Sequence, residues 1–217
     1  MKLYPEVFNG VGKLEPAYNI KLTDKVIPVV HPPRKVPASL REKLKNELDD
    51  MEKNEIIAKV DEPTEWVNSL VIVEKPDGKL RLCLDPRNLN KAIKREHYQL
   101  PTFDEISTRI SGATLFSKLD ANHGYWQIPL DEESSLLTTM NTPFGRYRFK
   151  RLPFGIHSAQ EVFHKRINQA FDDIDKVETD IDDILVWGQT KEDHDRGLIS
   201  TLERTRKIGL TLNIKKC

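Results

Sequence analysis

The sequence predicts an α+β fold, an antiparallel sheet with helices packed on one face. Two observations carry that reading. Helical hydrophobic runs begin at Ser39, Thr102 and Ser158, each followed three residues on by Glu, a pairing that satisfies the free amide groups of a first turn. Between them lie strand-like runs joined by very short turns at Asp77-Gly78, Pro143-Phe144-Gly145 and the Asp182-Asp183 tip. Strands joined so closely pair antiparallel.

Each element follows from its own residues. Six prolines within residues 1–37 forbid a long helix and favour an extended arm. Leu40, Leu44, Leu48 and Met51 then recur at helical spacing, predicting an amphipathic helix over 39–54. SLVIVEK and KLRLCLD, separated by Asp77-Gly78, read as a hairpin in which Arg81 alternates with Leu80 and Leu82. Thr102 and Glu105 open a short helix that Gly112 closes, and ATLFSKLD is a strand ending on Asp120. LLTTMNT and RYRFKR read as the next strand pair. Val162, Phe163, Ile167, Ala170 and Phe171 form the buried stripe of a helix. After the acidic hairpin VETDIDDILVWG, Thr190 caps a last helix with Leu198, Leu202 and Ile208 turned inward. Gly209 stops it before a strand LTLNI.

Composition narrows the class. With 217 residues, 38% hydrophobic and 31% charged, the chain is long enough to bury a core. It has no apolar run near the roughly 20 residues of a membrane span and no signal-peptide core, so an intracellular location is expected, with no membrane partner. Cys83 and Cys217 cannot form a zinc site alone, and Cys83 reads as a reduced core residue. The six histidines show no ligand spacing: His97 and His194 read as surface residues, and His157 precedes a helix start. Net charge is zero but segregated: residues 75–95 carry seven Lys or Arg against two acids, residues 143–166 six against one, and residues 172–183 seven acids against Lys176. Two basic tracts and one acidic tip suit a protein that holds polyanions near a metal site, although solvated faces give the same pattern.

Asp120 at a strand end and Asp182 and Asp183 at a hairpin tip would meet if their strands are neighbours. Carboxylates so close raise one another's pKa, a conflict that hard divalent cations resolve, and two such cations suit phosphoryl transfer. Acids at a hairpin tip also serve as plain turn residues, and spacing alone does not separate the two readings.

The motifs LFSKLDANHGYWQIPL, NTPFGRYRF, RLPFGIHSAQEVF, DIDDILVWG and GLTLNIKKC resemble, in order and spacing, the reverse transcriptase domain of gypsy-type LTR retrotransposon polyproteins. Upstream, WVNSLVIVEKPDGKLRLCLDPRNLNKAIKREHYQLP is similar to the fingers of those enzymes. The resemblance implies a right-hand polymerase of fingers and palm. Residues 1–37 would be the arm, 38–118 mainly fingers, and 119–217 mainly palm with a fingers segment inserted around 131–150. It implies a primer 3′-hydroxyl attacking the α-phosphate of a deoxynucleoside triphosphate on an RNA or DNA template, with two Mg2+ ions (or Mn2+) held by Asp120, Asp182, Asp183 and the Ala121 carbonyl. Arg81 and Lys75 would contact the triphosphate, and Tyr125 would exclude a ribose 2′-hydroxyl. Phe154 and Gly155 would underlie the templating base pair, and Lys216 would protonate pyrophosphate.

Two positions depart from that family. Asp180 stands where an aromatic or small apolar residue is usual, and alternation would put it on the same side as Asp182. Gln160 replaces a proline at a helix start, at little cost. The chain ends where a thumb, connection and RNase H domain would follow, which reads as a fragment or degraded copy of an element. Location in cytoplasm, virus-like particle or nucleus is left open, as is oligomeric state. A catalytically dead, nucleic-acid-binding remnant is the competing reading.

Overall fold

A computed structural model describes residues 3–217 apart from Asp77 and Leu100, so the Asp77 half of the expected Asp-Gly turn lies outside the described residues. The chain divides into two compact units. One comprises residues 16–95 and 128–159; the other comprises residues 3–15, 96–127 and 160–217.

In the first unit, α1 (Ala38–Lys53) buries Leu44, Leu48 and Met51. Its N-cap is Pro37, with no side-chain cap bond. The proline pre-sets the entry torsion, so the helix starts one residue before Ser39 and the expected Ser39 capping box does not form. After β1 (Ile57–Lys59), the strands β2 (Ser69–Glu74) and β3 (Leu80–Asp85) pair antiparallel over their full length, Val73 opposite Arg81. Leu80, Leu82 and Leu84 are buried while Arg81 is exposed, as the alternation requires. A short helix α2 (Arg87–Ala92) follows.

In the second unit, α3 (Phe103–Arg109) carries the complete Thr102–Glu105 capping box, and Gly112 turns at φ +79 beyond its end. Next comes β4 (Leu115–Asp120). Returning to the first unit, Glu132–Leu137 is a helix, α4, whose first turn is capped by Asp131 accepting from the Ser134 amide. The strand expected over LLTTMNT is therefore shorter, β5 (Met140–Thr142), because Leu136 and Leu137 lie in or against that helix instead; it pairs with β6 (Gly145–Phe149), and β1 pairs along the other edge of β6.

The rest of the second unit starts with α5 (Ala159–Phe171). Val162, Phe163, Ile167 and Phe171 are buried as expected, but so is His164. Ser158 Oγ is buried with no hydrogen-bond partner among the described residues, so the capping box expected there is not made. The acidic hairpin is β7 (Val177–Asp180) and β8 (Asp183–Gly188), and the sheet order is β4-β8-β7, all antiparallel. The last helix, α6 (Lys191–Ile208), packs on β8 and β4, begins at a Thr190 cap and ends at Gly209 in the left-handed region. Its buried face is Gly197, Thr201, Leu202 and Thr205, with Leu198 and Ile208 only half-buried. The threonine hydroxyls donate to carbonyls one turn back, Thr201 to Gly197 and Thr205 to Thr201, and so enter the core already satisfied. LTLNI forms no strand, only a single bridge from Leu212 to Ala121. Among the described residues no helix is long and apolar enough to cross a membrane.

The two Ser/Thr starts make a paired test. Thr102→Ala should cost about 1 kcal/mol and Ser39→Ala no more than about 0.5 kcal/mol, read from urea unfolding of the full chain.

Candidate active site

Antiparallel register brings the acids together. β4 lies beside β8 with Asp120 directly opposite Asp183, and β7 lies on the other side of β8 with Asp180 opposite the same residue. Directly opposed residues have Cβ atoms about 5 Å apart. Asp182 fills the turn, and its carbonyl accepts from the Ala121 amide at 2.8 Å. The preceding residue, Ile181, has φ +53. For a β-branched side chain that conformation costs on the order of 1–3 kcal/mol, so the surroundings must hold it.

The turn breaks the alternation on which the Asp180 expectation rested. Asp180 is the last residue of β7 and is exposed, whereas Asp182 is past the strand end. Asp182 feels the charges of Asp120, Asp183 and Lys216, and Asp180 shares Lys118 with Asp183 and Asp120 and also acts on His164. Asp180 and Asp182 therefore do not share one side of a strand.

The end of β4 is tied from behind. Asn213 N–H donates to the Asp120 carbonyl at 2.8 Å and Asn122 N–H to that of Thr211 at 2.9 Å. Gln127, fully buried, donates to the Asn122 and Thr211 carbonyls and accepts from the Thr211 amide. Gly124 is a second residue that sequence reasoning passed over. A Cβ there would lie 2.7 Å from Asp182 Oδ1 and 2.9 Å from Phe163 Cζ, so only glycine lets the carboxylate and the ring come this close. Its signal was present in the sequence, since a glycine directly after the strand-end motif marks close backbone approach.

Three carboxylates share two lysines. Lys118 Nζ lies 2.8 Å from Asp183 Oδ2, and Lys216 Nζ 3.1 Å from Asp120 Oδ2. Asp120 is 7% exposed, and its Oδ1, like Asp182 Oδ1, is buried with no hydrogen-bond partner among the described residues. Burial first, then the neighbouring Asp120 and Asp183, raise the Asp182 pKa against the opposing pull of Lys216. Among the described residues no three His, Cys, Asp or Glu groups are gathered as a ready metal centre. Two orphaned carboxylate oxygens beside a third acid are nevertheless a donor set that fits a hard divalent cation.

Tyr125 sits next to this cluster in chain and space. Its ring meets Phe163 edge-on with centroids 5.8 Å apart. Burial, with Asp182 and Glu161 adding, pushes its hydroxyl up to about 12, so it stays protonated. His194, expected at the surface, is half-buried and hydrogen-bonded to Ser117 Oγ at 2.9 Å.

The other residues that the resemblance implicates lie in the other unit. Arg81, exposed on β3, has its guanidinium 5.7 Å from the Phe154 ring centroid. Leu84 N–H donates to the Phe154 carbonyl, and Gly155 has φ +111 with an added Cβ only 2.0 Å from the Leu84 carbonyl oxygen. Lys75 is half-buried at the start of the hairpin turn, its amide donating to the Lys79 carbonyl. Part of the basic character is locally paired: Arg87 with Asp85, Arg148 with Glu132, Lys150 with Glu55 and Lys165 with Glu96.

Register thus gathers three aspartates, Asp120 at the end of β4, Asp182 in the turn and Asp183 at the start of β8, at one end of the sheet. Residues 73–217 match the family model described as reverse transcriptase (RNA-dependent DNA polymerase), and the chain belongs to that family. It is 30% identical over 219 residues to an uncharacterized protein of Caenorhabditis elegans, covering 99% of this chain and 17% of that one. It is also 36% identical over 144 residues to the enzymatic polyprotein of cauliflower mosaic virus (strain Strasbourg), covering 66% and 21%. Prototype foamy virus protease-reverse transcriptase superposes with a TM-score of 0.87 at 22% identity, covering 97% of this chain and 29% of that one. The α+β fold is that of a reverse transcriptase domain, and the chain spans about a fifth of the length of these curated relatives.

The raised Asp182 pKa has a definite sign. A folded pKa above the unfolded one means a stabilising contribution complete below the unfolded value and lost as pH rises through the folded value. Asp182→Asn should therefore melt above the parent at pH 7 in chelator, with the gap closing as pH falls toward about 4, as thermal unfolding across pH would record.

Proposed function

We propose that this chain supplies the metal-binding and nucleotide-binding part of an RNA-directed DNA polymerase of a gypsy-type LTR retrotransposon. The observation that carries the reading is the pairing of Asp120 with Asp183 beside Asp182, with one oxygen each of Asp120 and Asp182 buried and unpartnered. Asp120, Asp182, Asp183 and the Ala121 carbonyl would hold two Mg2+ ions, or Mn2+, which lower the pKa of a primer 3′-hydroxyl and offset charge on the leaving pyrophosphate.

The chain's own residues divide the remaining work. Arg81 offers a planar fork to triphosphate oxygens, with Lys75 as a second cation on the same hairpin. Tyr125, its ring fixed against Phe163, presents a bulky neutral wall that a 2′-hydroxyl would strike. Phe154 and Gly155 give a flat, close-approaching backbone for the templating pair. Lys216, 3.1 Å from Asp120, is the proton donor available to pyrophosphate. Solved foamy virus relatives hold double-stranded DNA and an RNA/DNA hybrid, which supports template-primer duplexes as partners here. The five motifs in order support the gypsy-type assignment. We further propose the division into an arm over 1–37, mainly fingers over 38–118 and mainly palm over 119–217, with the inserted segment at 131–150. A dead nucleic-acid-binding remnant, prompted by Asp180, the basic tracts and the missing thumb, is not better supported: Asp180 does not share a strand face with Asp182.

Primer extension tests the reading. With an RNA template, DNA primer, deoxynucleotides and magnesium, the parent chain should extend the primer and Asp182→Asn should lower the rate by about a hundredfold or more. Extension that survives the substitution, or salt-sensitive duplex binding without any extension, would overturn it. Tyr125→Ala should raise the relative kcat/KM for ribonucleotides by about tenfold or more, measured by competing ribo- and deoxynucleotide incorporation.

A further inference from the structure

His164 is wholly buried on α5, one residue along from Phe163, and no part of the chemistry above uses it. Its Nδ1 accepts a hydrogen bond from the Ile181 amide at 3.1 Å. That bond fixes the tautomer, because Nδ1 must be unprotonated to accept, so the ring proton lies on Nε2. Nε2 is buried with no hydrogen-bond partner among the described residues. The ring is flanked by Tyr98, with centroids 5.7 Å apart.

An imidazole placed this way is a poor core residue. It leaves a donor unsatisfied, where a leucine would fill similar space at no such cost. The hydrogen bond its Nδ1 makes goes to Ile181, the turn residue at φ +53. Ile181 immediately precedes Asp182 and lies between Asp180 and Asp183, which are opposed in the hairpin register. A left-handed torsion at a β-branched residue relaxes unless something holds it. Relaxation would rotate the peptide that leads into Asp182 and move its carboxylate away from Asp120.

We propose that His164 is a positioning residue: its Nδ1 clamps the Ile181 amide, holding the strained turn that aims Asp182 and Asp183 at Asp120. The inference rests on the polymerase reading of those carboxylates. The clamp itself is a property of the turn and is measurable without activity. Asparagine offers a carbonyl oxygen close to the place of Nδ1, whereas leucine fills the volume and accepts nothing.

The experiment compares the full chain with His164→Asn and His164→Leu, reading amide hydrogen exchange at Ile181, melting temperature, and kcat and KM for a deoxynucleotide in primer extension. Expected are slow Ile181 exchange in the parent and His164→Asn, exchange faster by about tenfold or more in His164→Leu, and melting temperatures that agree within a few degrees. In extension, kcat should fall about tenfold in His164→Leu, with KM little changed and kcat largely restored in His164→Asn. Unchanged Ile181 exchange and kcat in His164→Leu overturns the clamp while leaving the polymerase reading intact. Absence of extension by the parent, with exchange behaving as expected, overturns the polymerase reading and leaves the clamp. If both leucine and asparagine lower activity and melting temperature together while Ile181 exchange is unmoved, His164 is a core residue only and the proposal fails.

Discussion

Like-charge repulsion among Asp120, Asp182 and Asp183 is the constraint around which the second unit is arranged. Three carboxylates at one sheet end oppose folding unless each is held by something stronger. The backbone supplies most of the hold. Antiparallel register fixes Asp120 opposite Asp183, the Ala121 amide ties the Asp182 peptide, and Asn213 ties the Asp120 carbonyl. Side chains complete it: Gln127 satisfies three backbone groups behind the β4 end, and Phe163 backs both Gly124 and Tyr125.

These supports explain why a site of few residues needs a whole unit of structure. The α5 stripe is hydrophobic for packing, but one of its members, Phe163, also meets the cluster at Gly124, and the buried His164 beside it meets the turn at Ile181. The α6 face holds β8 in place by an unusual route, with threonines that satisfy their own hydroxyls and a glycine near Val186. Packing and the carboxylate cluster thus share residues.

Much of this was legible in the sequence. The hairpin signal predicts β2 and β3, the apolar run after the acidic tip predicts β8, and the sequence pattern anticipates that Asp120 and Asp182-Asp183 meet if their strands are neighbours, as they are. What escaped is local and has physical causes. Ser39 and Ser158 match a capping box by spacing, yet a proline or burial decides the helix start, which spacing cannot register. The expected strand over 136–142 takes in the last two residues of α4, Leu136 and Leu137, because they adjoin β-favouring threonines, whereas the Asp131 cap five residues upstream of Leu136 starts the helix that holds them. Asp180 was placed by period-two counting across a residue with positive φ, where that period does not apply. His164 and Gln127 are polar residues whose buried bonds run to parts of the chain distant in sequence, so no local pattern announces them.

Lys118 and Lys216 bear on how the acidic cluster rests. Each ammonium group is covalently leashed within 3.1 Å of a carboxylate oxygen, so its effective concentration there far exceeds that of any ion in solution. The two lysines act as resident counter-ions that keep the cluster from springing apart. A cation held as proposed above would exchange with them rather than fill bare charge. Its apparent affinity would then be a difference between two bound states, lower than three naked carboxylates would give, and correspondingly easier to reverse.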